Sequence, residues 1–158
     1  MSRALIRKIV SGGQTGADRA ALDFAIAHGI PHGGWCPKGR KAEDGAIDER
    51  YALQETPGEK YLERTEWNVR DSDGTVIFSI GRELGGGSKA TLDFAREYHK
   101  PVLHLSRAAG WYAPEKKLIE FIQSHRIKSL NVAGPRASEE PEIGEFVTGV
   151  LEKLFEAA

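Results

Sequence analysis

The chain has little with which to build a covalent or metal-bound site. Cys36 is the only cysteine among 158 residues, so no internal disulfide forms and no cysteine cluster holds zinc. His28, His32, His99, His104 and His125 match no HExxH or other ligand spacing. No GxSxG frames a serine nucleophile. No apolar run approaches the roughly 18 residues of a membrane helix. The start, Met1 to Lys8, carries no long apolar stretch or cleavage-like site, so a cytoplasmic protein without membrane contact is expected. Neither charge dominates: 22 Lys and Arg face 23 Asp and Glu, for a formal net charge of -1. That argues against a broad nucleic-acid surface and leaves room for a small basic pocket.

Other proportions are ordinary for a soluble domain, with 40% hydrophobic and 28% charged residues. The length suits a single domain over 1–158, burying roughly 68–70% of its extended-chain surface.

Glycine carries the information. Ser11-Gly12-Gly13-Gln14-Thr15-Gly16 follows the apolar strand Ile6 to Val10, and Gly81 to Ser88, with Gly85-Gly86-Gly87, follows the strand Thr75 to Ile80. Each turn then enters a helix. Two strand–glycine–helix junctions suggest a pocket where backbone N–H groups and helix N-termini converge on an anion, such as the phosphate of a cofactor or nucleotide. The first turn lacks the lysine of GxxxxGK[ST] and is not GxGxxG, which disfavours an ATP-hydrolysing P-loop and a standard NAD site. The competing reading is a pair of tight junctions that need glycine for geometry alone.

Apolar spacing predicts a helix from Ala17 to His28, with Thr15 as N-cap and Asp18 in a capping-box position. A strand is expected near His32 to Cys36. A large loop follows, with one helical turn at Ile47 to Tyr51. A helix spans Glu63 to Arg70. Ser88 caps a helix from Lys89 to Tyr98 or binds a ligand oxygen. A strand at Val102 to Leu105, a helix from Pro114 to Ser124, a strand at Ser129 to Ala133 and a strongly periodic last helix complete the chain. Gly134-Pro135-Arg136 makes a third strand-to-helix junction. Alternating strands and helices give an α/β fold with a mostly parallel sheet, whose ligands sit beyond the carboxyl ends of the strands.

The candidate binding residues are Gly12, Gly13, Gln14, Thr15, Gly16 and Arg19 in the first turn and helix, and Gly85, Gly86, Gly87, Ser88 and Thr91 in the second. Lys38 and Arg40 are cations able to neutralise a phosphate, or solvated surface groups. Arg19 alternatively pairs with a surface acid. Trp35 stacks on a planar ring or fills the core. Cys36 is a buried small hydrophobe, a thiolate or a soft ligand. Asp44 and Asp48 share a face if their segment is helical, where Mg²⁺ is a weak option. Glu66 and Asp18 are the groups available for acid–base work, and Arg64 and Asn68 are further polar candidates near loop or helix ends.

Several blocks together resemble a known family. They are Ser11 to Asp23, Gly34-Trp35-Cys36-Pro37-Lys38-Gly39-Arg40, Ala42-Glu43-Asp44-Gly45, Arg64-Thr65-Glu66, Asn68-Val69, Ser72-Asp73-Gly74-Thr75 and Gly86-Gly87-Ser88. The chain is similar to the "putative molybdenum carrier" family, a circularly permuted branch of the SLOG superfamily. The resemblance implies a Rossmann-like three-layer sandwich with helices on both faces of the sheet. It also implies a homo-oligomer, dimer or tetramer, and a carrier of molybdenum cofactor (molybdopterin), a pterin with a terminal phosphate. Molybdoenzymes or cofactor-synthesis proteins would then be its partners. The wider superfamily implies the alternative: a nucleotide or sugar-phosphate binder, including N-glycosidic hydrolases of nucleoside monophosphates. Those enzymes carry a PGGxGT-type turn with a glutamate. This chain has Leu84 in place of the proline, and Asp93 is not an obvious substitute for the glutamate, so a non-enzymatic binding protein is the favoured expectation, with no catalytic residue assigned.

Overall fold

The computed structural model describes residues 5–109 and 113–157. The first four residues, part of the start read above for a leader, lie outside them.

The central sheet is built from β1 (Lys8–Val10), β2 (His32–Gly33), β7 (Gly74–Ser79), β8 (Val102–Ser106) and β9 (Ser129–Ala133). Its strands run in the order β2-β1-β9-β7-β8, and every pairing is parallel. All six residues of β7 are buried, as a central parallel strand covered on both faces requires. Val76 and Phe78 face one side of the sheet; Thr75, Ile77 and Ser79 face the other.

Val76 and Phe78 join the main core, beneath α1 (Ala17–Ala27), α4 (Pro114–Ser124) and α5 (Ile143–Ala157). Leu118, Ile122, Val147 and Leu151 are the apolar stripes that these helices turn inward. On the opposite face α2 (Tyr61–Arg70) packs on α3 (Gly86–Glu97), which lies over β7 and β8. The three-layer sandwich expected of the chain is therefore present.

The strand order has a simple logic. Counted from β9 instead of the N-terminus, it reads 3-2-1-4-5, the order of a doubly wound dinucleotide-type sheet. The order then reverses between β9 and β7, and the crevice beyond their carboxyl ends is where such sheets bind ligands.

The segment between β2 and α2 differs from the expectation. One strand from His32 to Cys36 is broken by Gly34, whose φ is 135°. Its second half, β3 (Trp35–Cys36), leaves the sheet to pair with β6 (Gln54–Glu55). Between them β4 (Lys41–Ala42) and β5 (Gly45–Ala46) form a small antiparallel hairpin. The helical turn expected at Ile47 to Tyr51 is a single reverse turn, closed by Tyr51 N–H on Asp48 O at 3.2 Å. Leu22, Cys36, Ala42, Ile47 and Tyr51 form a second small core under this segment. Cys36 is thus a packed hydrophobe, and burial pushes its thiol up from the usual value.

Two helix starts also differ. Gly16, not Thr15, is the N-cap of α1, and no side chain caps it. Thr15 is occupied with Glu43, and Asp18 turns inward to Arg64. The helix α3 begins before Ser88, with Gly85 as N-cap and again no capping side chain.

Candidate anion-binding cleft

Three strand–helix junctions meet beyond the ends of β1, β7 and β9. They are the Ser11 to Gly16 turn, the start of α3 and the Gly134-Pro135-Arg136 turn. Between them and α2 lies a pit of about 50 Å³, lined by Gly12, Gln14, Asp18, Arg64, Gly87, Ser88, Asn131 and Arg136 among others. A wider compartment of about 260 Å³ adjoins it and shares the walls Ser88, Pro135 and Glu139. Its own lining includes Glu83 and Glu140. The pit suits a small charged group; only the wider compartment approaches the roughly 300 Å³ at which ring-sized ligands are held.

Local sequence explains this convergence. Gly16 has a φ of 84°, and a Cβ there would run into the Pro135 to Ala137 backbone, so glycine lets the first and third junctions touch. Ala17 N–H donates to Pro135 O at 3.2 Å across that contact. At Gly12 the space of a side chain is taken by the guanidinium of Arg64.

Arg64 reaches the pit from α2. Its Nη1 donates to Asp18 Oδ2 at 3.0 Å, and both side chains are nearly buried. Burial holds the Asp18 carboxyl above its ordinary range, although Arg64 and the backbone N–H groups of Gln14 and Gly12 pull it down. Arg136 is the second cation. It lies 3.6 Å from Glu139 and over the Tyr61 ring, 5.2 Å from its centroid. From α3 come Gly87 and the buried Ser88. With no capping side chain, the N–H groups of Gly86 and Gly87 are left for a ligand or water, whereas Ser88 N–H turns back to Gly85 O at 3.1 Å.

Gln14 is buried to 5% exposure. Its Oε1 accepts from Thr15 N–H at 3.0 Å and Glu43 N–H at 2.9 Å, whereas Nε2 has no partner. The hairpin tip supplies more than that one contact. The Glu43 carboxylate accepts from the hydroxyls of Thr15 and Ser138 and from Ser138 N–H. These donors, Ser138 first and Thr15 second, hold Glu43 below the usual carboxylate range.

The structure gathers Gly12, Gln14, Gly87, Ser88 and Thr91 around the pit, with Gly85 and Gly86 on the adjoining compartment. Other candidates lie elsewhere. Gly13 faces Leu53 and Ile47. Arg19 binds Gly13 O and pairs with Asp44 at 3.0 Å, which fulfils its surface-acid reading. Asp44 sits at the hairpin and shares no helix face with Asp48. Arg40 donates to the carbonyls of Ile47, Asp48, Tyr51 and Leu53; the fork is spent on holding the long loop closed. Lys38 is exposed and lines neither compartment. Trp35 donates its indole N–H to Asp71 at 2.8 Å, meets Trp67 edge-on and lines a separate hollow. Glu66 accepts from Tyr98, outside both compartments. Among the described residues no group of three or more His, Cys, Asp or Glu could hold a metal ion.

Part of the second glycine turn already holds an anion of the protein's own. Ile80 and Gly81 N–H donate to Glu140 at 2.8 and 3.0 Å. Nearby, Ser79 and His104 Nε2 are 2.7 Å apart, and burial lowers the affinity of His104 for a proton. Both Ser79 and Ser106 hydroxyls bind Gly81 O, so this network ties down the turn.

The family model that covers residues 9–155 is that of the circularly permutated YpsA SLOG family. The chain belongs to this family. The permutation is visible in the sheet, whose order becomes 3-2-1-4-5 when β9 is taken first. Among solved structures, the "Putative molybdenum carrier protein" from Syntrophus aciditrophicus SB is 54% identical, with a TM-score of 0.91 and 95% of each chain covered. A likeness to (E)-4-hydroxy-3-methyl-but-2-enyl diphosphate reductase has 12% identity and a TM-score of 0.40, covering 96% of this chain and 61% of that one; it carries no argument. Curated proteins give no match.

The binding set omits several residues that line the pit, among them Asp18, Arg64, Asn68, Asn131, Arg136 and Glu139. Asp18, Arg64 and Asn68 are polar candidates in the sequence without an assigned binding role, and Arg64 stands in one of the family-like blocks. Arg136 is legible only as part of the third junction, whose approach to the first depends on the strand order.

Proposed function

We propose that this member of the circularly permutated YpsA SLOG family is a non-enzymatic carrier of molybdenum cofactor. The pit takes the cofactor's terminal phosphate, and the adjoining compartment takes part of the pterin. One observation carries the reading: the uncapped start of α3 opens on a pit whose walls include Arg64 and Arg136. Helix-terminal N–H groups and guanidinium donors suit a phosphate, and backbone donors need no reorganisation on binding. Carboxylates of Glu83 and Glu139 line the wider compartment, where they suit the N–H donors of a pterin ring. The name of the 54%-identical structure supports the molybdenum part of the reading.

Molybdenum is cargo in this account, carried by the cofactor's own sulfurs. The chain's residues bind the phosphate, orient the ring and leave the metal end unligated.

Calorimetric titration with molybdenum cofactor tests the proposal. Wild-type protein should bind it, and Arg136→Ala should weaken binding about tenfold or more, the usual worth of a charged hydrogen bond. Equal affinity in the two proteins would remove Arg136 from the site; no binding by the wild type would refute the carrier reading.

A second reading has one observation in its favour. Asp18 lines the pit with its carboxyl raised by burial, as a proton holder for an N-glycosidic hydrolase would require. It predicts release of free base from a nucleoside monophosphate. Intact nucleotide after prolonged incubation would dismiss it.

A further inference from the structure

The Gln14 amide is held in one orientation. Two backbone N–H groups, Thr15 and Glu43, donate to its Oε1 at 3.0 and 2.9 Å. Turning the amide over would set its NH₂ against both donors, so the observed orientation is the only one that the backbone satisfies. The consequence falls on the other end. Nε2 is buried, has no partner and belongs to a side chain that lines the pit. A buried donor without a partner is costly and invites an acceptor from a ligand.

The lock depends on the hairpin. Glu43 N–H stays over Gln14 because the Glu43 carboxylate is bound by two of the junctions. It takes Thr15 from the first junction and Ser138 from the third. Thr15 Oγ1 in turn accepts from Ala137 N–H at 3.1 Å, closing the ring.

We infer that Gln14 is the specificity-determining residue of the pit. Its locked Nε2 donates to an oxygen of a bound tetrahedral oxyanion, and Glu43 is the positioning residue that maintains the lock. This rests on the phosphate reading above and sharpens it: the pit presents a fixed donor whose satisfaction favours a ligand carrying an oxyanion group over one without. The chemistry is shared by a phosphate monoester, free phosphate and free molybdate.

The test is calorimetry with three probes, inorganic phosphate, sodium molybdate and guanosine monophosphate, with guanosine as the uncharged control. Gln14→Glu keeps the shape and Oε1 but replaces the donor by a carboxylate oxygen. It should weaken every probe that the wild type binds by tenfold or more and leave guanosine unchanged. Preference among the probes identifies the source of the oxyanion. Glu43→Ala should weaken the same probes several-fold, and Glu43→Gln, which can still accept from Thr15 and bond Ser138, should restore most of the loss. Circular dichroism melting checks folding; if Gln14→Glu does not fold, Gln14→Met decides by the same criterion. Binding by Gln14→Glu within twofold of a wild type that binds would overturn the inference and leave the phosphate reading standing. A wild type that binds none of the three would overturn both.

Discussion

Arg64 occupies the space that a side chain on Gly12 would fill, and from there it meets Asp18 at 3.0 Å. A strand end on one face of the cleft and a helix on the other are thus keyed together by the lack of one Cβ. Gly12→Ala should displace the guanidinium and strain the pair. The expected cost is about 1–3 kcal/mol, as for overpacking of a close-fitted site. Urea denaturation of the variant checks it, and an unchanged midpoint would show that Arg64 moves aside freely.

Removing Arg64 should cost more. Arg64→Met leaves Asp18 buried without its partner, a change worth about 3–5 kcal/mol. Asp18→Asn in the same chain should recover part of that loss. The pH dependence has a definite sign. Burial raises the folded Asp18 value, so its contribution is full below the unfolded value of about 3.9 and declines as pH rises through the folded one. Without Arg64 the folded value climbs further, and the deficit of Arg64→Met should be larger at pH 7 than at pH 4.

Glu43 should behave in the opposite way. Its donors depress the folded value, so its contribution is present above the unfolded value of about 4.3 and is lost as pH falls through the folded one. The wild type should therefore lose melting temperature between pH 5 and pH 3 more steeply than Glu43→Gln. Parallel acid limbs would mean that the hairpin tip is not held as described. Asp71 and Asp73, also depressed by their partners, remain in both proteins and cancel.

Arg40 binds four carbonyls of the loop between β5 and α2. Arg40→Lys cannot reproduce that fork and should cost about 1–3 kcal/mol, with new protease sensitivity between residues 46 and 54. If ligand affinity fell more than stability, Arg40 would belong to the site after all.

Much of the fold could be read from the chain because its signals were local. The apolar stripe of Ile143, Val147, Val150, Leu151 and Leu154 predicts α5, and Pro114 marks the start of α4. Caps were less legible. Thr15 and Ser88 have good capping chemistry, yet Thr15 serves Glu43, twenty-eight positions away in the chain, and α3 starts at glycine. The site was half legible. The glycine turns pointed to the cleft where three junctions meet, but cation type and charge alone could not separate Arg40, spent on its own loop, from Arg64, delivered by a helix. The placement of Gly134-Pro135-Arg136 beside Gly16 depends on β9 entering the middle of the sheet, which no local pattern encodes.

The most direct test of the central claim is a phosphate titration of the ¹⁵N-labelled protein followed by NMR. The account predicts that the amides of Gly12, Gly87 and Ser88 and the side-chain NH₂ of Gln14 shift together along one saturating curve, while Trp35 and Lys38 stay in place. Shifts centred on Trp35 and Lys38, or no saturable shift at the pit, would contradict it.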